Sequence, residues 1–138
     1  MSNVLCVAGR PQELEWYQNL LQQLGHTVTA VNSLSEALDA LRLGQHYDLL
    51  VTAWIIGSET AGALVATAKQ TGAIPVMVVS SLVERAFQEA GASVDLYLAK
   101  PTTAGDFVQL ADILLTSAAA KASEPEESKS KVAAAPSS

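Results

Sequence analysis

Five short apolar runs, each succeeded by a stretch of helical period, constrain the fold of this chain more than any other feature. Residues 4–8, 26–31, 49–53, 75–79 and 96–99 have the length and composition of strands. The first and third read as fully buried. The second, broken by Thr27 and Thr29, reads as an outer or half-buried strand, and the fourth is rich in β-branched residues. Between and after them, apolar residues recur at helical spacing: Leu14, Tyr17, Leu20, Leu21 and Leu24; Leu34, Ala37, Leu38 and Leu41; Ala61, Leu64, Val65 and Ala68; Val83, Ala86, Phe87 and Ala90; Phe107, Leu110, Ala111 and Leu114. Strand and helix therefore alternate. The predicted class is α/β: a parallel sheet covered on both faces, because each crossover is right-handed.

Local signals punctuate the same pattern. Pro11 suits the first turn of a helix, and Gly25, Gly44 and Gly72 close helices. Ser33 with Glu36, and Thr103 with Asp106, have the spacing of helix N-caps. Five such units form a single doubly wound (βα)5 domain, for which 2-1-3-4-5 is the usual strand order. The composition changes near residue 119, after which no apolar period continues. Residues 1–118 are the expected domain and 119–138 a disordered tail or linker rich in Ala, Ser, Glu, Lys and Pro.

Charge and cysteine content narrow the function. The net charge is −6, with eight Lys and Arg that nowhere cluster. That argues against a phosphate-backbone footprint on nucleic acid. A single cysteine rules out an intramolecular disulfide and a Cys-based zinc site. No basic segment leads into a long apolar run at the start, so neither secretion nor membrane insertion is expected and the cytoplasm is the expected location. No dinucleotide or Walker glycine pattern comes after the first strand. His26 and His46 stand at the amino ends of strands in no metal spacing, and neither a metal nor a cofactor is expected.

In an open α/β sheet, ligands bind at the carboxyl ends of the strands. Those ends carry Ala8, Gly9 and Arg10; Ala53 and Trp54; Ser80 and Ser81; and Lys100 with Pro101. With these residues in view, the chain resembles the receiver domain of bacterial response regulators over residues 3 to about 117. Residues 47–53 (Tyr-Asp-Leu-Leu-Val-Thr-Ala) look like its third strand, 74–81 (Ile-Pro-Val-Met-Val-Val-Ser-Ser) like its fourth, and 95–101 (Asp-Leu-Tyr-Leu-Ala-Lys-Pro) like its fifth. The Lys100-Pro101 ending, correctly spaced from Ser80, is the most specific match. The resemblance implies that Ser80 and Tyr97 hold the switch positions.

The departures bear directly on chemistry. Ala53 stands where the resemblance implies a phosphoacceptor aspartate, and Ala8 and Gly9 stand where it implies an acidic pair for magnesium. An alanine offers no nucleophile, and magnesium requires hard oxygen ligands. No carboxylate is expected at these strand ends; Glu59 lies on the following loop or helix start and cannot hold the ion by itself. The chain therefore reads as a degenerate, non-phosphorylatable receiver with no enzymatic activity.

Several alternatives stay open. Lys100 could bind an anion or a partner's carboxylate in the emptied pocket, or bond backbone carbonyls, while Arg10 could join it or be solvated. Ser80 could simply cap a turn, and Tyr97 pack at an edge. Cys6, in mid-strand, reads as a buried structural thiol. Trp16 lies off the main apolar stripe of its helix and Trp54 at the rim of the site. Two functions are weighed ahead of a third, an enzyme of another flavodoxin-like family, for which no nucleophile or base is found. One is a signalling module acting through protein contact on the face of the fourth helix, fifth strand and fifth helix: Glu84, Phe87, Gln88, Tyr97, Ala99, Asp106 and Gln109, with a bacterial signalling protein or a second copy as partner. The other is a sensor of a small ligand or anion around Lys100 and Ser80.

Overall fold

The computed structural model describes residues 2–43 and 46–123. Its central sheet has five parallel strands: β1 (Asn3–Val7), β2 (Thr27–Val31), β3 (Leu49–Thr52), β6 (Val76–Ser80) and β7 (Leu96–Ala99), in the order β2-β1-β3-β6-β7. Two further strands, β4 (Ile55–Ile56) and β5 (Glu59–Thr60), form a small antiparallel hairpin apart from that sheet. Without the hairpin, the order is the 2-1-3-4-5 read from the sequence. The fold is flavodoxin-like.

Strand periodicity sorts the interior into two layers. Val4 and Cys6 of β1, Leu49 and Val51 of β3, and Met77 and Val79 of β6 face α1 (Pro11–Gln23) and α5 (Ala104–Ser123). There they meet Tyr17, Leu21, Phe107, Ala111 and Leu115. The alternate residues Leu5, Val7, Leu50, Val76 and Val78 meet α2 (Leu34–Arg42), α3 (Gly62–Gly72) and α4 (Val83–Ala90). Each fully buried Leu or Val contributes about 1.5–3 kcal/mol relative to exposure, so this continuous layering is the main source of stability. Cys6 is fully buried, and burial pushes its thiol pKa up. It is an inert part of the core.

The helix ends obey the local chemistry. Pro11 occupies the first turn of α1. Ser33 Oγ accepts from the Glu36 amide at 3.2 Å, and Thr103 Oγ1 accepts from the Asp106 amide at 3.1 Å. Gly44 lies outside the described residues, and α2 ends at Arg42 with Leu43 beyond it. At the end of α3 the left-handed residue is Ala73 (φ 52°), not Gly72, and it lets the Ile74 amide return to the Ala68 carbonyl. Helix α5 continues through Ser123, beyond the composition change near 119, because 118–122 is alanine-rich and alanine is the strongest helix former. Residues 124–138 lie outside the described residues.

Two carboxylates fasten the amino end of the sheet, opposite the candidate site. Asp48 accepts from the Asn3 amide at 2.8 Å, and Asp95 accepts from the Val76 amide at 2.7 Å while pairing with Lys69 at 2.6 Å. Both acids sit just before a strand and hold the start of its neighbour. No helix among the described residues is long and apolar enough to cross a membrane.

Candidate functional site

The carboxyl ends of β1, β3, β6 and β7 converge on a cavity of about 670 Å³. It is lined by Gly9, Arg10, Glu13, Ala53, Trp54, Ser80, Ser81 and Lys100, among others. Parallel register brings these together: Val7 pairs with Thr52, Thr52 with Val78, and Ser80 with Ala99. The strands end nearly level with one another, so the residues just beyond each strand face the same space.

On the β1–β3 side the site is sealed by small residues. Ala8 is fully buried and Ala53 nearly so. The Ala53 amide bonds to the Val7 carbonyl at 3.0 Å, and Thr52 Oγ1 donates to the Ala53 carbonyl at 2.8 Å. The β4–β5 hairpin lies over this side, turning at Gly57 with φ 66°. A Cβ on Gly9 would come within 3.2 Å of the Gly57 amide nitrogen. The bare backbone at Gly9 is what allows the hairpin this close. Two-residue strands carry too little period to be read in a sequence; the Gly57-Ser58 pair is the one signal that could have marked the turn.

Trp54, next to Ala53, is buried. Its indole Nε1 donates to Glu89 Oε1 of α4 at 3.0 Å, and Glu89 Oε2 accepts from Arg85 Nε at 3.2 Å. The end of β3 is thereby tied to the fourth helix.

On the β6–β7 side polar side chains remain, and each has an internal partner. Ser80 Oγ accepts from the Leu82 amide at 2.9 Å, which caps the turn into α4. Tyr97 OH donates to the Gly91 carbonyl at 2.7 Å, and its ring meets Phe87 edge-on at 5.6 Å. Burial pushes the Tyr97 hydroxyl pKa up. The Lys100 amide bonds to the Ser80 carbonyl at 3.1 Å, and among the described residues its side chain makes no bond to a backbone carbonyl. It pairs with Glu13, whose same oxygen also accepts from the buried Tyr17 hydroxyl. Burial first, then Glu13, push the Tyr17 pKa up.

Glu13 corrects the expectation that no carboxylate reaches these strand ends. It arrives from the first turn of α1, where an acid reads as ordinary complement to the helix dipole. The spacing to Tyr17, one helical turn on, is the only hint of its inward role. Among the described residues, no three His, Cys, Asp or Glu side chains gather as a metal site would require. Arg10 is exposed, with no ion pair among the described residues.

The face read for contact is only partly assembled into one feature. Glu84, Phe87 and Gln88 of α4 and Tyr97 of β7 line a depression of about 520 Å³ with Val83. Phe87 is 58% exposed, unusual for a phenylalanine. Ala99, Asp106 and Gln109 are exposed but do not line it.

No family model and no curated protein matches this sequence. Solved structures do match in shape. A response regulator receiver protein from Sinorhizobium medicae WSM419 aligns with a TM-score of 0.78 at 22% identity, over 85% of this chain and 96% of that one. The receiver domain of a Francisella response regulator aligns with a TM-score of 0.73 at 21% identity, over 84% and 98%. The receiver domain of a sensor histidine kinase from Pseudomonas aeruginosa PAO1, described with magnesium coordinated in its active-site cleft, aligns with a TM-score of 0.73 at 17% identity, over 83% and 98%. At these identities the likeness establishes the receiver fold.

Proposed function

We propose that this chain is a receiver-like signalling module that works by protein contact and does not take up a phosphoryl group. The observation that carries the reading is the makeup of the strand-end cavity. Ala53, Ala8 and Gly9 supply no nucleophile and no carboxylate, and the one acid that lines the cavity, Glu13, has an oxygen engaged by both Lys100 and Tyr17. Phosphoryl transfer from a small donor to a receiver needs an attacking carboxylate and a divalent ion held by oxygen ligands. The Pseudomonas domain holds magnesium in its cleft; here the corresponding strand ends are small and apolar.

Contact through the α4–β7 face is the second half of the proposal. Exposed Phe87 beside Tyr97 gives an aromatic anchor with a polar surround of Glu84 and Gln88, the makeup of a small protein interface. The anion-sensing alternative loses support from Lys100, whose charge is met by Glu13. Incubation of the full chain with acetyl phosphate and magnesium tests the proposal. Intact mass is expected to stay unchanged; a base-labile phosphoryl adduct at any strand-end residue would refute it.

A further inference from the structure

Adjoining the strand-end cavity, and sharing Arg10, Glu13, Val79, Ser81 and Lys100 with it, lies a second cleft of about 540 Å³. Its lining comes from the start of α1, the end of β6 and the β7–α5 connection, and includes Arg10, Trp16, Tyr17, Ser81 and Thr102 around that ion pair. The volume is that of a small-molecule site, about 300–1,000 Å³.

Three features of the lining point to one ligand chemistry. The first is an aromatic wall. Trp16 is half-buried and braced by Phe107, with ring centroids 5.3 Å apart, and by Tyr17 at 5.8 Å. The sequence puts this tryptophan off the apolar stripe of its helix, and core packing leaves part of it uncovered. The second is a free cation. Lys100 is engaged by Glu13, whereas the Arg10 guanidinium has no ion pair among the described residues. The third is a free acceptor. Glu13 Oε2 takes both the Tyr17 hydroxyl and Lys100 on a side chain only 15% exposed, and a carboxylate has lone pairs on Oε1 for one donor more. Arg10 and Lys100 against Glu13 give the cleft a net charge of +1 (two cations less one carboxylate).

We infer that this cleft binds a small aromatic monocarboxylate that also carries a hydroxyl or amine. The carboxylate meets the planar fork of Arg10, the ring lies against Trp16, and the donor reaches Glu13 Oε1. A dianion would meet Glu13 with a second negative charge. A neutral aromatic would leave Arg10 unused, and an aliphatic carboxylate would leave Trp16 uncovered. The inference is independent of phosphotransfer, since none of these three contacts involves Ala8, Gly9 or Ala53.

The test is a titration of the full-length, nitrogen-labelled chain with para-hydroxybenzoate, with benzoate and phenol as probes lacking one group each. The expected result is saturable shifts at the amides of Arg10, Gln12, Ser81 and Thr102 and at the Trp16 indole N–H. Affinity should fall from para-hydroxybenzoate to benzoate to phenol. Arg10→Gln, at an exposed position, should weaken para-hydroxybenzoate about tenfold, the worth of one charge-assisted hydrogen bond, and leave phenol unchanged. Trp16→Leu should weaken all three. Absence of saturable shifts at these groups, or equal affinity in the Arg10→Gln variant, would overturn the inference.

Discussion

The two halves of the strand-end site have the same backbone and different side-chain policies. Around β1 and β3, the strand ends carry only Ala8, Gly9 and Ala53, and a hairpin and a buried tryptophan fill the space. Around β6 and β7, Ser80, Tyr97 and Lys100 remain, yet each is bonded within the protein: to Leu82, Gly91 and Glu13. The difference teaches that a polar side chain at a strand end need not be available to a ligand. Polar side chains beside an apolar half lower their free energy by finding internal partners, most of all the buried Ser80, because an unmatched buried polar group costs about 1–3 kcal/mol.

Four substitutions or conditions would break or sharpen this contrast. The largest effect is expected from Trp54→Ala, which empties the packed β1–β3 side and cuts the tie to Glu89. A loss of about 3–5 kcal/mol is expected by denaturant unfolding; a loss near zero would mean that this half is not structural. Next comes Glu13→Ala, which leaves the buried Tyr17 hydroxyl without its acceptor and Lys100 without its partner. About 2 kcal/mol of destabilisation is expected, within the range for an orphaned buried donor. Ser80→Ala removes one turn cap and should cost about 1 kcal/mol, with no other change at the site.

The fourth is a pH slope. Tyr17 has a raised pKa in the folded state, so the unfolded chain loses that proton first as pH rises past the ordinary tyrosine value of about 10. The stability it contributes is complete below that pH and declines above it, at up to about 1.4 kcal/mol per pH unit for one proton. Cys6, also raised by burial, adds a similar decline from slightly lower pH. Melting temperatures of Tyr17→Phe between pH 8 and 11 should fall less steeply than those of the natural chain. Parallel curves would show that the hydroxyl is not held neutral by its surroundings.

Much of the fold was legible in the sequence because it rests on local period. Runs such as 4–8 and 49–53 have the length and composition of buried strands, and Ser33, Thr103 and Pro11 mark helix starts by rules that act over three or four residues. The β4–β5 hairpin was not legible, since two residues hold no period. Residues at the strand ends were placed together correctly, because parallel register results from the alternation. Their partners were not foreseen. Glu13 comes from the first helix and Lys100 from the end of the last strand, while Trp54 and Glu89 come from a strand end and α4. Such contacts depend on helix rotation and side-chain reach, which no sequence spacing fixes.

The central proposal is that the strand-end cavity, with Ala8, Gly9 and Ala53 at the ends of β1 and β3, takes up no phosphoryl group and no metal with it. Beryllofluoride with magnesium, added to the labelled chain and monitored by amide resonances, tests it most directly. The account expects residues 8–10, 53–54, 80–81 and 100 to keep their positions at saturating probe. Saturable, magnesium-dependent shifts confined to those residues would contradict it.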